Sequence, residues 1–259
     1  MSVRSTLPAS VRVLAGIAIA AVALPLVALA TRAPWSDIAR LGEPGPRTAL
    51  LVSIEVSLAA AAVAFVFGVP VALVLARASF RGRSVIRSLA LLPLVLPPVV
   101  AGVGLLAAFG RRGLIGRGLA AIGIRLPFTT AGAILASAFV ATPLLILTVE
   151  AGVRAVDRRK EEAAETLGAS KWYVLRRVTL PALAPSIVAG LVVAWARALG
   201  EFGATITFAG NLRGRTQTLP LAVFEAMQTD TGAAILMSLM LVALSLIALI
   251  TLRGRFLTR

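Results

Sequence analysis

The chain has 259 residues, 59% of them hydrophobic, and a formal net charge of +15. Soluble domains contain about 45–50% apolar residues, so a chain this apolar is expected to lie largely in lipid. The absence of cysteine and histidine excludes disulfides, thiol nucleophiles, imidazole bases and most transition-metal sites. We therefore expect a membrane protein without a sizeable soluble domain.

Six apolar stretches are candidates for membrane-spanning helices, each of which needs about 20 largely apolar residues. In chain order they cover residues 13–30, 56–76, 88–110, 126–149, 178–196 and 231–252. The fifth stretch is borderline, because it is short and ends at Arg197. The sequence thus predicts an all-α polytopic membrane protein with six transmembrane helices in one domain, residues 1–259.

The first apolar stretch could be either a cleaved signal peptide or a retained helix. Arg4 and Arg12 precede it, and Ala28-Leu29-Ala30 resembles a cleavage site for a signal peptidase. The apolar run of 18 residues is, however, longer than the usual signal core of about 7–15 residues. We expect a retained first helix at about 13–31, and the rest of the bundle at about 48–255.

The third stretch contains Pro93, Pro97 and Pro98. Each proline lacks a backbone N–H, so it interrupts the hydrogen bonding of a helix and bends it. Inside lipid, the freed carbonyls need neighbouring helices or water as partners. The sequence predicts a kink here, either an ordinary packing feature or a bend that lines a translocation path.

The segment 157–181 is charged, yet it has the features of a helix. Asp157 can cap a helix, and Glu161 and Glu162 would lie in its first turn, where the helix dipole favours negative charge. Gly168 permits a sharp exit. The segment is either a short helix that docks onto a partner outside the bilayer or a solvated charged loop.

The fifth apolar stretch is too short to cross the membrane unaided. Residues 181–196 would span about 24 Å as a helix, against roughly 30 Å of hydrocarbon. We expect the helix to continue through Arg197 and Glu201 towards Phe202. These two charges are four residues apart and can neutralise each other on one face, either as a structural pair or as part of a gate.

The distribution of lysine and arginine predicts the orientation, because loops on the cytoplasmic side carry more of them. With the N-terminus inside, sixteen fall on the cytoplasmic side and nine on the outer side. The N-terminus, the C-terminus at Arg259 and segment 157–181 are therefore expected in the cytoplasm. The charge reflects topology, and we expect no nucleic-acid partner.

Segment 157–181 resembles the EAA loop of permease subunits in ATP-binding cassette (ABC) importers. The matching positions are Glu162, Ala163, Ala164, Gly168, Leu180 and Pro181, with Val178 where isoleucine is usual. The resemblance implies a type I ABC importer permease fold whose cytoplasmic coupling helix inserts into a groove of an ATPase subunit. Contact with that subunit is then expected from Glu162, Ala163, Ala164, Gly168, Ala169, Leu180 and Pro181.

The string from Arg197 to Leu221 resembles the molybdate branch of oxyanion permeases, whose relatives carry tungstate or sulfate. Neutral donors can hold a tetrahedral dianion, although the same residues could simply solvate a loop. The resemblance implies a translocation path or gate formed by Arg197, Glu201, Phe202, Gly203, Thr205, Asn211, Thr216, Gln217 and Thr218.

The implied function is that of a permease in the cytoplasmic membrane which imports molybdate, with tungstate as a further cargo. It implies a homodimer, two ABC ATPase subunits and an extracytoplasmic oxyanion-binding protein as partners, besides membrane lipid. The sequence has no glycine-rich phosphate loop, so ATP would bind to the partner, and we expect no cofactor or metal in this chain.

Three alternative functions have different requirements. The cargo could be sulfate, thiosulfate or phosphate. A proton-coupled secondary carrier would need a titratable relay, for which Glu55, Glu150 and Glu201 are candidates. An intramembrane enzyme would need a nucleophile with a base or a paired carboxylate site, and the scattered acidic residues do not suggest one.

Overall fold

The computed structural model describes residues 8–256. It describes their side chains except those of residues 248, 249 and 251–256. Arg4 and Arg259, which the sequence places in the cytoplasm, lie outside the described residues. Every regular element in the described range is a helix, as predicted. The α-helices are α1 (Ala9–Arg32), α2 (Pro44–Arg77), α3 (Arg83–Leu91), α4 (Pro98–Phe109), α5 (Gly116–Ala121), α6 (Thr130–Ala155), α7 (Arg159–Thr166), α8 (Lys171–Val174), α9 (Leu180–Leu199), α10 (Gly203–Ala209), α11 (Leu219–Ala226) and α12 (Thr231–Phe256). Short 3₁₀-helices lie at Trp35–Gly42 and Leu92–Leu94, and a π-helix at Leu175–Thr179.

Four helices are long and apolar enough to cross a membrane: Ala9–Arg32, Pro44–Arg77, Thr130–Ala155 and Lys171–Leu199. The bent pair formed by Arg83–Leu94 and Pro98–Phe109 is a fifth candidate. In α12 the apolar stretch covers Thr231–Ile247 within the described side chains. The structure thus contains four or five candidate spans, and the count of six stays a prediction.

The core of the bundle forms where α2, α6 and α9 pack together. Leu145 of α6 is fully buried there. A Cβ atom at Gly68 of α2 would lie 3.1 Å from the Leu145 side chain, and one at Gly190 of α9 only 2.8 Å. Because small residues let membrane helices approach closely, these two glycines allow Leu145 to fill the space between the helices.

The third apolar stretch breaks instead of merely kinking. The helix axis turns by 115° between Leu94 and Pro98, and Pro98 occupies the first turn of α4, where its missing N–H costs no hydrogen bond. After the break, α4 packs against α10, where a Cβ atom at Gly102 would lie 2.5 Å from Cβ of Thr207. The predicted bend therefore exists and directs α4 to the string predicted to line the path.

The fifth span ends earlier than predicted. Helix α9 stops at Leu199, so Glu201 and Phe202 lie beyond it. The missing length comes from the other end, because α8 and the π-helix run directly into α9 and give a continuous helix over Lys171–Leu199. Pro181 lacks the N–H that would bond to the carbonyl of Arg177, which favours a wider turn at this point.

Candidate functional site

Helix α7 has the ends that the sequence predicts. The carboxylate of Asp157 accepts a hydrogen bond from the backbone N–H of Arg159 (3.0 Å), and Glu161 and Glu162 lie in the first turn. The segment leaves the helix through Gly168, whose φ of 86° favours glycine. A short, separate helix therefore lies between α6 and α8.

The residues implied in docking by the EAA resemblance are largely accessible. Glu162, Ala163, Gly168 and Pro181 are exposed, and Ala164, Ala169 and Leu180 are half-buried. Next to them, Leu167 and Trp172 expose 88% and 65% of their surfaces. Large exposed apolar side chains beside a charged helix are typical of a surface that another protein covers.

A half-buried carboxylate attaches α7 to the bundle. Glu161 forms two contacts of 2.9 Å with the guanidinium of Arg77, one to each carboxylate oxygen. It also accepts a hydrogen bond from the hydroxyl of Thr179 (2.8 Å). Sequence reasoning placed Glu161 only in the first turn of a helix and missed its pairing with Arg77. The available signal was a carboxylate next to the EAA motif and an arginine at the end of an apolar stretch.

A second acidic residue is buried at the end of α6. Glu150 pairs with Arg87 (3.1 Å) and with Arg154 on the next turn, and only 2% of its side chain is exposed. The pair with Arg87 joins α6 to α3, and the pair with Arg154 lies within α6. Glu150 is thus held between two positive charges, an arrangement that suits a structural anchor better than a proton relay.

The predicted pair at the other end of α9 is present. Arg197 and Glu201 contact each other at 2.7 Å. The second carboxylate oxygen of Glu201 accepts a hydrogen bond from the backbone N–H of Ala204 (2.8 Å). Glu201 is buried whereas Arg197 is one-third exposed, so the pair fixes the start of α10 and leaves the arginine accessible.

Around α10 the predicted path residues are packed and buried. A Cβ atom at Gly203 would lie 2.6 Å from Cβ of Pro98, so only glycine lets α10 approach α4 this closely. The ring of Phe202 packs on Phe224, with 5.1 Å between centroids. Among residues 8–256, the buried polar side-chain atoms without a hydrogen-bond partner are Oγ1 of Thr205, Oγ1 of Thr218 and Oδ1 of Asn211.

Loop 211–217 is organised around Glu225, which sequence reasoning missed. Its carboxylate accepts hydrogen bonds from the side chains of Asn211 (3.0 Å), Gln217 (2.6 Å) and Arg213. The hydrogen bond from Arg213 lowers the pKa of Glu225 most, and those from Asn211 and Gln217 lower it further, against the effect of burial. The one available signal was an isolated glutamate within the apolar segment 219–227.

The interpretation that the polar string merely solvates a loop is wrong. Thr205, Thr216, Gln217 and Thr218 are all buried, and Gln217 is hydrogen-bonded to Glu225 of α11. The hydroxyl of Thr216 closes the loop by accepting from the backbone N–H of Leu212 (3.0 Å). Five of the nine predicted path residues thus have polar partners within the fold: Arg197, Glu201, Asn211, Thr216 and Gln217.

Helix α2 contributes two serines that sequence reasoning also missed. Ser53 accepts a hydrogen bond from the backbone N–H of Leu219 (2.6 Å), and Ser57 accepts one from the indole of Trp195 (2.9 Å). Their spacing of four residues on an apolar helix was the available signal. Glu55, between them in sequence, faces away and is exposed.

Comparison with known proteins identifies the family. The model described as binding-protein-dependent transport system inner membrane component matches residues 68–254. Over 237 residues the chain is 48% identical to the molybdenum transport system permease protein ModB of Mycobacterium tuberculosis, covering 90% of this chain and 89% of that protein. It is 36% identical over 241 residues to the sulfate transport system permease protein CysT of Escherichia coli, covering 90% and 87%.

A solved structure shares the fold. The chain is similar to one in a bacterial alginate ABC transporter in complex with an alginate pentasaccharide-bound periplasmic protein, with a TM-score of 0.74, 16% identity, and coverage of 96% of this chain and 94% of that chain. The family match and the relatives agree with the apolar helices in indicating a multi-pass transport protein of the inner membrane, not an enzyme. The chain belongs to the family of binding-protein-dependent transport system inner membrane components.

Proposed function

We propose that this chain is the permease subunit of an ABC importer that carries molybdate across the cytoplasmic membrane. The observation that carries the proposal is the 48% identity, over nine-tenths of the chain, to a protein named as a molybdenum permease. The sulfate permease relative, at 36%, makes sulfate the weaker candidate. Tungstate, a tetrahedral dianion of the same chemistry, is the expected second cargo.

The working unit is proposed to be a homodimer with six spans per chain and both termini in the cytoplasm. Two ABC ATPase subunits bind at α7, and an extracytoplasmic oxyanion-binding protein delivers the substrate. The excess of lysine and arginine in the segments assigned to the cytoplasm supports this orientation. The accessible apolar surface at Leu167 and Trp172 supports a protein partner on the side of α7.

Transport is proposed to follow from movement of α7 when the ATPases close. The residues that contact the ATPase are Glu162, Ala163, Ala164, Gly168, Ala169, Leu180 and Pro181. Their movement would shift α9 and the segment beyond it, and so open the path alternately to each side. This assignment is supported by the continuous helix Lys171–Leu199, which joins the docking segment to the predicted gate.

Within the path, the buried hydroxyls of Thr205 and Thr218 are proposed to contact the passing oxyanion. They have no partner among the described residues, so they can donate hydrogen bonds without breaking existing ones. Neutral donors of this kind bind weakly, and a weak site lets the ion leave again. Arg197 is the one positively charged residue among the predicted path residues, and it is one-third exposed beside its partner Glu201. Asn211, Thr216 and Gln217 instead hold loop 211–217 in place.

The proposal is tested by uptake into proteoliposomes that contain the chain, its ATPase and its binding protein. We expect molybdate uptake that depends on ATP, that tungstate inhibits at equimolar concentration, and that sulfate inhibits only in large excess. Equal inhibition by sulfate would assign the protein to sulfate transport. The absence of ATP-dependent uptake of any oxyanion would reject the importer function.

The same vesicles separate this function from a proton-coupled carrier. Glu150 and Glu201 are each held in ion pairs, which disfavours a relay through them. Molybdate uptake should therefore persist when a protonophore collapses the proton gradient, and stop when ATP is depleted. The opposite result would favour the carrier.

A further inference from the structure

Three elements meet at the carboxylate of Glu161. The residue belongs to the first turn of α7, Arg77 is the last residue of α2, and Thr179 immediately precedes α9. We propose that Glu161 is the joint through which movement of α7 reaches α2 and α9 together. This inference rests on the proposed function, because it assigns the route by which work done on α7 enters the membrane.

The geometry of the joint is that of a firm contact. Arg77 and Glu161 form two parallel contacts of 2.9 Å, an arrangement that fixes direction as well as distance. Thr179, itself buried, donates to the same carboxylate at 2.8 Å. The side chains of Arg77 and Glu161 are 22% and 15% exposed, so water screens the pair less than an ion pair at an open surface.

Helix α7 has few other attachments. It buries none of its residues, and its remaining side-chain hydrogen bonds in the described part of the chain are local, such as that from Thr166 to the carbonyl of Glu162 (2.8 Å). Among the described side chains, Glu161 is the one residue of α7 that forms side-chain hydrogen bonds with α2 or with the segment that leads into α9. Its carboxylate accepts from Arg77 and from Thr179. Besides the covalent connection of α7 to α8 through residues 167–170, a force on α7 therefore has the Glu161 carboxylate as its side-chain route into the membrane helices.

Both helices that receive the force lead to the far side of the bundle. Helix α9 extends about 30 Å from Thr179 to the Arg197–Glu201 pair. Helix α2 runs from Arg77 back to Ser53, whose hydroxyl binds the backbone of Leu219 beside the buried Thr218. The joint can thus displace two walls of the predicted path at the same time, which a contact with α9 alone could not do.

The test compares Glu161→Gln with a matched control in the complete transporter. Arg81→Gln removes an arginine four residues beyond Arg77 that is exposed and makes no ion pair among the described residues. Two quantities are measured: hydrogen exchange of the α7 amides, and the number of ATP molecules hydrolysed per molybdate imported. Glu161→Gln should accelerate exchange and raise the ATP cost, each by at least about tenfold, since it weakens a charge-assisted contact.

Two further variants keep the test decisive if Glu161→Gln does not fold. The charge exchange Arg77→Glu with Glu161→Arg should restore both quantities to within about threefold of wild type, because the pair can reform in reverse. Thr179→Val keeps the shape of the side chain but removes one hydrogen bond, so it should give a smaller change in the same direction. Arg81→Gln should change neither quantity.

The outcomes separate the joint from the proposed function. Unchanged exchange in α7 for Glu161→Gln overturns the anchoring itself, whatever the protein transports. Faster exchange with an unchanged ratio of ATP to molybdate overturns the transmission role. If wild-type protein shows no ATP-dependent uptake, the proposed function fails and the transmission role with it, whereas the exchange data still decide whether Glu161 holds α7.

Discussion

The two threonine hydroxyls at positions 205 and 207 of α10 differ in their hydrogen bonding. The hydroxyl of Thr205 is fully buried and has no hydrogen-bond partner among the described residues. Two residues on, the hydroxyl of Thr207 donates to the backbone carbonyl of Gly203 (2.8 Å). An unpaired buried hydroxyl does not stabilise the fold, which agrees with the proposed contact between Thr205 and the passing oxyanion.

Replacement of Thr205 with valine tests this directly. Because an unpaired buried polar group costs about 1–3 kcal/mol, Thr205→Val should leave the free energy of unfolding unchanged or raise it by up to about 1 kcal/mol. Molybdate uptake should nevertheless fall severalfold. Thermal unfolding in detergent and uptake into vesicles measure the two effects.

Thr207→Val is the matched control, since it makes the same chemical change at a hydroxyl that has a partner. It should lower uptake less than Thr205→Val does. Normal uptake by Thr205→Val, or a loss of stability as large as that of a cavity mutation, would contradict the assignment of Thr205 to the path.

Glu225 gives loop 211–217 a dependence on pH. Its pKa is lowered from an ordinary value of 4.5, chiefly by the hydrogen bond from Arg213. A carboxylate whose pKa is lower in the folded protein stabilises the fold above its unfolded pKa and loses that effect as pH falls through the folded pKa. The contribution should therefore be constant from pH 7 to about 5 and disappear at lower pH.

The measurement compares the unfolding temperature of wild type and Glu225→Gln as the pH is lowered. Wild type should be the more stable at pH 7, and the two should converge below pH 4.5 as the wild-type carboxylate takes up a proton. The exposed Glu165, which forms no ion pair in the described range, provides the control variant Glu165→Gln. A difference that is independent of pH would mean that Glu225 acts through packing instead of charge.

At the scale of elements, the turn after α7 sets the direction of the docking segment. Gly168 adopts φ of 86°, and a Cβ atom added there meets no other atom within 4 Å. Glycine is therefore favoured at position 168 by the backbone conformation, and not by a lack of space for a side chain. Asparagine tolerates this backbone region better than other residues with a side chain, whereas a β-branched residue is strongly disfavoured.

Gly168→Val should consequently redirect α8 relative to α7 and separate ATP hydrolysis from transport. We expect ATPase activity to persist while molybdate imported per ATP falls by about tenfold, since the strain exceeds about 1 kcal/mol. Gly168→Asn should keep most of the coupling. Both are measured in the reconstituted transporter, and equal coupling in the two variants would contradict a role for the turn.

The sequence predicted the elements with local signals and missed those set by tertiary contacts. The helix 159–166, its glycine exit and the bend at Pro93–Pro98 follow from capping, dihedral and hydrogen-bond rules that act within a few residues. The sequence predicted that α9 extends past Arg197 to Glu201, but the helix ends at Leu199. The basic residues before α9 have low hydropathy, so the sequence did not show that the helix begins as early as Lys171. The role of Glu225 depends on donors 8 to 14 residues away, which no local pattern specifies.

At the scale of the whole molecule, the fold joins two different kinds of contact. The side that carries α7 is organised by ion pairs at Glu161 and Glu150, each linking the ends of two helices. The opposite part, around α10 and α11, is organised by close backbone approach at glycines and by hydrogen bonds to Glu225. The helices α2, α6 and α9 connect these two regions through a closely packed core. Under the proposed function, this packing would transmit a movement at one end with little internal deformation.

The orientation of the chain in the membrane gives the last prediction. The sequence contains no cysteine, so single cysteines can be introduced without any background. Ala163→Cys lies on the exposed face of α7, and Leu114→Cys replaces a residue that is 90% exposed between α4 and α5. A maleimide that cannot cross the membrane should label Leu114→Cys in intact cells and Ala163→Cys only after the cytoplasm is opened. This is the result that the proposed orientation requires, since loops rich in arginine and lysine favour the cytoplasmic side. Addition of the ATPase subunit should then protect Ala163→Cys but not Leu114→Cys. Labelling of Ala163→Cys in intact cells would reverse the topology and remove α7 from the reach of any cytoplasmic ATPase.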